Sequence, residues 1–166
     1  MDIGSYISLL SWVSGFVFAG LSLIYTVRHF KLVRTLTYIE RMNSPEMGKV
    51  RANVDQWLSS SKNDVKKLEK LYKDDKLMSD LRLFTNLFTE LGVAYKFRLV
   101  NKKLTHELWY PMIMKYWNGL EFYIYDKRKK GVYIGYYFEM MSNEILNYVN
   151  NNKKLMADRY SSKKGY

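Results

Sequence analysis

The sequence predicts a mainly α-helical protein, in which one N-terminal transmembrane helix continues into a cytoplasmic helical bundle. Three observations lead there. No charged residue occurs from Ile3 to Val27, and neither Pro nor Gly interrupts the chain between Thr26 and Met42. Beyond Pro45, apolar residues recur at intervals of three and four, the period of one face of a helix. With 166 residues, the chain can form one domain of about 130 residues and an accessory segment, but not two ordinary domains with separate cores. The expected division is a transmembrane helix over 1–27, a juxtamembrane helix and linker over 28–44, a cytoplasmic helical domain over 45–155 and a basic tail over 156–166.

As a helix, the charge-free run would measure about 37 Å, enough to cross a hydrocarbon core of roughly 30 Å. A cleaved signal peptide opens with basic residues and closes on a small-residue cleavage site. Here Asp2 precedes the run, and Arg28, His29, Lys31 and Arg34 follow it. Those flanks read as a stop-transfer signal. Positive charge beside a span stays cytoplasmic, so the N-terminus is expected outside and the chain from Arg28 onward inside. Along the span, Gly4, Ser8, Ser11, Gly15, Ala19, Ser22 and Thr26 form one stripe of small or hydroxylated residues, with bulky side chains on the other faces. Such a stripe lets helices approach closely. Ser8, Ser11, Gly15, Ala19, Ser22 and Thr26 are therefore candidates for a homo-oligomer seam, or for a narrow polar path where three or more helices meet.

The span is expected to continue as one helix through Phe30, Val33, Leu36 and Thr37 towards Glu40. Ser44 and Pro45 read as the N-cap and first residue of a second helix bearing Val50, Val54, Trp57 and Leu58, ended by Ser59 to Asn63. A charged helix follows from about Asp64 to Asp74, with Lys66, Lys67, Lys70 and Lys73 on its outer side. A more deeply packed helix is expected from Leu77 to about Tyr95, where Leu81, Phe84, Leu87, Phe88 and Leu91 make a broad stripe. Gly92 marks either its end or a close crossing. Thr105 is the expected cap of a helix through Trp109, Ile113 and Trp117, with Gly119 clouding its boundary. The aromatic segments Phe122 to Tyr125 and Val132 to Phe138 read as helices on either side of a basic loop, with a hairpin around Asp126 to Gly131 as the alternative. The last ten residues read as a mobile tail.

The 27 Lys and Arg exceed the 16 Asp and Glu, for a net charge of +11. Because Asp2 is the only charge before Arg28, the part beyond Val27 carries +12, from 27 basic and 15 acidic residues. That density suits an anionic partner, lipid headgroup or nucleic acid, and also a simply solvated face. Lys127, Arg128, Lys129 and Lys130 form a cationic run flanked by Tyr123, Tyr125, Tyr133, Tyr136 and Tyr137. Lysines hold phosphates and exposed tyrosines stack on unpaired bases, so Lys127, Arg128, Lys129, Lys130, Tyr133 and Tyr136 are candidate ligand-binding residues. Lys96, Arg98, Lys102 and Lys103 are a second group that would join them. With no Cys, disulfides, thiolate ligands and a Cys nucleophile are excluded. His29 and His106 are too far apart in sequence to suggest a zinc site. Walker A, Rossmann and HExxH patterns are absent, and the Gly131-Val-Tyr-Ile-Gly135 pair lacks a third glycine. Neither a cofactor nor enzymatic activity is expected.

The apolar N-terminal run, the juxtamembrane Tyr38-Ile-Glu-Arg-Met-Asn-Ser-Pro45, Phe88-Thr-Glu-Leu-Gly92 and Trp109-Tyr-Pro111 together resemble small bacterial membrane-anchored proteins, in particular the transmembrane effectors of the Hailong anti-phage defence system. The resemblance covers about two-thirds of the chain and carries no catalytic signature. It implies a single-pass protein of the bacterial inner membrane, paired with a nucleotidyltransferase that makes a single-stranded DNA oligomer. It also implies an oligomeric channel gated by that anionic ligand. The competing expectation is a non-conducting anchor or scaffold that recruits a cytoplasmic partner.

Overall fold

The computed structural model describes residues 3–60 and 65–152, with the side chains of residues 3–9 left aside. Among the described residues the protein is mainly α-helical. Its six helices are α1 (Ile3–Asn43), α2 (Pro45–Ser59), α3 (Val65–Leu71), α4 (Asp75–Lys96), α5 (Lys102–Lys129) and α6 (Tyr136–Asn151). The expected basic tail over 156–166 lies outside the described residues.

α1 is one unbroken helix of 41 residues. From Leu10 to Phe30 every residue is exposed, and this part is long and apolar enough to cross a membrane. Its C-terminal third is seated in the bundle. Thr35 is fully buried, bonds its own helix through Lys31 O at 2.7 Å and accepts the backbone N–H of Asn101 at 2.9 Å. Tyr38 donates to Glu90 O at 3.4 Å, Arg41 pairs with the Glu90 carboxylate at 2.5 Å, and Met42 is buried.

Helix ends follow local chemistry. Ser44 caps α2, accepting from Met47 N at 3.2 Å with Pro45 in the first turn. Asp74 caps α4 through Leu77 N at 2.9 Å. Asn101, rather than Thr105, caps α5 through Leu104 N at 3.1 Å; Thr105 instead turns its hydroxyl back to Asn101 O at 2.9 Å. An amide side chain just ahead of the first turn reaches the orphan N–H groups, so the helix starts four residues earlier than expected.

The core centres on α4, with α6 and α2 packed against it and α5 against α6. Phe84, Phe88, Trp109, Tyr116, Trp117 and Phe138 form a continuous aromatic cluster. Phe88 stacks on Phe138 at 4.6 Å and Phe84 meets Tyr116 edge-on at 4.6 Å. Two glycines make close crossings. A Cβ on Gly92 would sit 2.3 Å from Tyr137 O, and one on Gly119 would sit 2.9 Å from Leu58 Cδ2. Gly119 is therefore interior to α5, not a boundary. Lys67, expected outside, is 3% exposed, its ammonium donating to Leu58 O at 3.2 Å and lying 4.5 Å over the Trp57 ring. Contacts with Leu58 and Trp57 at the end of α2 bury a side chain that helical spacing alone places in solvent.

The Gly92 crossing sets a direct test. Gly92→Ala is expected to lower stability by about 1–3 kcal/mol, because the methyl must displace backbone rather than a flexible side chain. Gly48→Ala, at a helical glycine with nothing within 4 Å, is expected to raise stability by up to about 1 kcal/mol through helix propensity. Denaturant unfolding of the two variants checks this, and equal effects would mean that α4 and α6 do not approach as described.

Candidate anion-binding surfaces at the two ends of the bundle

α4 and α5 run antiparallel, so the two cationic groups sit at opposite ends. Lys102 and Lys127, 25 residues apart on one helix, are separated by about 37 Å along it. The second group therefore does not join the first. Its end of the bundle is the one beside the apolar part of α1, since Asn101 bonds Thr35 while Glu90, further back on α4, meets Tyr38 and Arg41.

At this α1-proximal end the turn after α4 is a Schellman cap: Arg98 N bonds Tyr95 O at 3.2 Å and Leu99 N bonds Ala94 O at 2.8 Å. The left-handed position belongs to Arg98, at φ 56°, where glycine is usual. The turn leaves Phe97 61% and Leu99 38% exposed between Lys96, Arg98 and Lys103. Lys102 is engaged, pairing with Glu144 at 3.0 Å and lying 4.1 Å over Tyr95.

At the distal end, the basic run occupies the last turn of α5 rather than a loop, and Phe122 to Tyr125 are helical, which removes the hairpin alternative. Residues 130–135 stay outside a helix, so of the expected helical segment Val132 to Phe138 only the part from Tyr136, where α6 begins, is helical. A second Schellman cap closes α5, with Gly131 at φ 80° and Val132 N on Lys127 O at 3.0 Å.

Helical geometry splits the run. Arg128 is largely buried: Nε donates to Ile134 O at 2.9 Å and Nη1 to Glu139 at 2.5 Å, where Tyr125 also donates at 2.6 Å. This residue pins α6 to α5. Lys130 pairs with Asp126 at 2.7 Å and lies 4.0 Å over Tyr72, whose hydroxyl donates to the same carboxylate. Lys129 points to solvent. Lys127 lies 4.5 Å over the same Tyr72 ring and also lines a cavity with Arg82 of α4, a residue not singled out by sequence. Tyr123 is buried, Tyr133 is 93% exposed and Tyr136 is 65% exposed. Four consecutive cations thus serve at least three different surfaces, and Arg128 belongs to the scaffold.

The small stripe of α1 is exposed along its described length. Ser11, Gly15 and Ala19 line a shallow groove beside Trp12 and Phe16. Thr26 returns its hydroxyl to Ser22 O at 2.8 Å, and Ser14 bonds Ser11 O at 2.9 Å. Ser8 lies in α1, but its side chain is outside those described. Among the described residues no group of three or more His, Cys, Asp or Glu is placed to hold a metal.

A family model matches residues 9–143. The chain belongs to the DUF4760 family, a domain of unknown function. No curated protein and no solved structure matches it. The DUF4760 unit begins within the apolar half of α1 and ends within α6, so the long helix and the bundle are matched as one piece.

Two outcomes test this surface. Burial pushes the Glu139 carboxyl up, but the hydrogen bonds from Tyr125 and Arg128 and the guanidinium charge outweigh it and hold the group below its ordinary 4.5. A depressed carboxylate stabilises the fold above its unfolded pKa and loses that contribution as pH falls through the folded value. Stability is therefore expected to fall as pH drops below 4.5, and less steeply in Glu139→Gln; identical acid limbs would remove the pair's role. At neutral pH Arg128→Gln is expected to cost about 1–3 kcal/mol, as the partly buried Glu139 carboxylate and Ile134 O lose a charged donor. Separately, Arg98→Gly is expected to raise stability by about 1 kcal/mol by removing a side chain from the left-handed position, read from the shift in unfolding midpoint.

Proposed function

We propose that this protein is a membrane-anchored effector whose bundle receives an anionic ligand and passes the change to a self-associating span through α1. The observation that carries the reading is the continuity of α1. A single helix holds an exposed apolar half and a C-terminal third locked into the bundle by Thr35, Tyr38, Arg41 and Met42. No Pro or Gly lies in the helix between those halves, so a rotation or tilt of the seat is carried along a stiff rod. The exposed Phe97 and Leu99 among Lys96, Arg98 and Lys103 add support, since apolar and basic residues together at the α1-proximal end suit a headgroup layer. Arg28, Lys31 and Arg34 favour an N-terminus outside and a cytoplasmic bundle in a bacterial inner membrane.

In this reading the stripe of Ser8, Ser11, Gly15, Ala19, Ser22 and Thr26 is the oligomer seam, and ion conduction through the assembled spans is the output. The ligand, a nucleotide or single-stranded DNA oligomer supplied by a partner nucleotidyltransferase, docks at the distal end, with Lys127, Lys129, Lys130, Tyr133 and Tyr136 as its contacts and Arg128 holding the surface in place. Gating requires that the ligand bind one of two states more tightly. One observation favours the simpler anchor or scaffold instead: the hydroxyls of Ser14 and Thr26 are satisfied within α1, as a lipid-facing helix requires.

Reconstitution into anionic liposomes separates the readings. The protein is expected to resist alkaline extraction and to carry ligand-dependent ion flux. Ser11→Leu, Gly15→Leu and Ala19→Leu together are expected to shift crosslinked species towards monomer and abolish the flux. Stable insertion without flux would leave the anchor, and extraction at high pH would overturn the membrane reading itself.

A further inference from the structure

On the far side of the bundle from the apolar helix, α4, the end of α5 and the turn before α6 enclose a cavity of about 300 Å³. Its α4 wall is a single stripe. Asp75, Ser79, Arg82 and Asn86 follow one another at intervals of three and four along the helix, so they line the cavity in a row. Lys127 enters from α5, and Met78, Val132 and Ile134 make an apolar flank.

Several features mark this as a binding site rather than a surface dimple. Neither Arg82 nor Lys127 has a carboxylate within ion-pair distance among the described residues. Two cations therefore share one concavity without an anion between them. Thr85, which also lines the cavity, is 1% exposed, and its buried hydroxyl has no hydrogen-bond partner. Buried polar atoms in folded proteins are nearly always paired, so an orphan hydroxyl beside two unpaired cations is the arrangement left by a missing acceptor. The Tyr123 phenol, on the α5 side of the cavity, stays protonated as a donor, its pKa pushed up to about 12 by burial foremost, aided by Tyr72 against the Arg82 charge. Burial, with the neighbouring Lys130 and Arg82 cations, lowers the Lys127 ammonium against the pull of Asp126. An anion bound between the two cations would relieve that strain.

Asp75 narrows the ligand. It lies seven residues from Arg82, two turns or about 10 Å along α4, and its carboxylate repels a chain of phosphates while accepting from hydroxyl or amino donors. We propose that this cavity binds a small phosphate monoester of mononucleotide size, with its phosphate held by Arg82, Lys127 and Thr85, its apolar ring against Met78, Val132 and Ile134, and its donor end at Asp75. The volume suits one such molecule and not a folded oligomer. The inference rests on the reading of a ligand-receiving bundle, but binding in detergent needs neither a bilayer nor conduction, so failure here leaves the flux result standing, and the reverse.

Calorimetric titration of the full chain in detergent tests it, with AMP, adenosine and inorganic phosphate as probes. Saturable 1:1 binding of AMP is expected, with adenosine not binding and phosphate binding more weakly. Arg82→Gln and Lys127→Gln should each weaken AMP about tenfold, as one charge-assisted contact is lost. Thr85→Val, which removes the unpaired hydroxyl at nearly constant volume, should weaken AMP several-fold while leaving the unfolding midpoint no lower than in the parent protein. Asp75→Asn should weaken AMP but strengthen phosphate, whereas Lys49→Gln, on α2, should change neither. Absence of saturable AMP binding, equal affinity for adenosine, or a loss in Lys49→Gln matching that in Arg82→Gln would overturn the proposal.

Discussion

The approach of α4 and α6 at Gly92 is the constraint on which the bundle turns. With Tyr137 O where a Cβ would stand, the two helices come close enough for Phe88 to stack on Phe138 and for Trp117 to meet the same ring edge-on. A larger residue at 92 would push α6 outward and open the aromatic cluster that α5 completes. Burial of those rings, together with the aliphatic side chains around them, holds the bundle in a chain without Cys. Everything at the distal end follows, since α6 starts where Gly135 takes a left-handed conformation at φ 67° against the Ile124 side chain. Arg128 can then reach both Ile134 O and Glu139.

α4 also links that constraint to the long helix. Glu90, two residues before the glycine, takes the Arg41 guanidinium on its carboxylate and the Tyr38 hydroxyl on its backbone oxygen. The Thr35 hydroxyl oxygen meanwhile accepts the backbone N–H of Asn101, the N-cap of α5. α1 is thus held by the helices that define the core rather than by a peripheral loop. Any shift of α4 relative to α5, the helices that flank the Arg82 and Lys127 cavity, reaches the seat of α1 through a few polar contacts, at Glu90 about 12 Å from Arg82 along α4 and at Asn101 about 39 Å from Lys127 along α5.

The two ends of the bundle carry similar charge in different settings. At the α1-proximal turn, cations surround exposed Phe97 and Leu99, and Arg98 holds a left-handed position that a glycine would occupy with less strain. At the distal turn, Gly131 fills the equivalent position and the cations are divided between ion pairs, tyrosine faces and the cavity.

By itself the sequence determined the helical class, the charge-free run, the continuity of α1 and the Ser44-Pro45 start of α2, because each rests on local backbone preference or on apolar period. The α4 stripe was equally legible. Tertiary structure alone decided which cations are free. Lys67 and Arg128 look like solvated charges in sequence, yet one is buried on a carbonyl and a Trp ring and the other is clamped to Glu139, since partners distant in sequence set their surroundings. Lys127 and Lys129 differ only by a turn of 200° about one helix, and that rotation sends one to a cavity and the other to solvent. Arg82 and Thr85 are neighbours on α4, but Lys127 lies more than 40 residues away on α5; no spacing rule joins it to them, and only the antiparallel packing of α4 and α5 brings all three to one concavity.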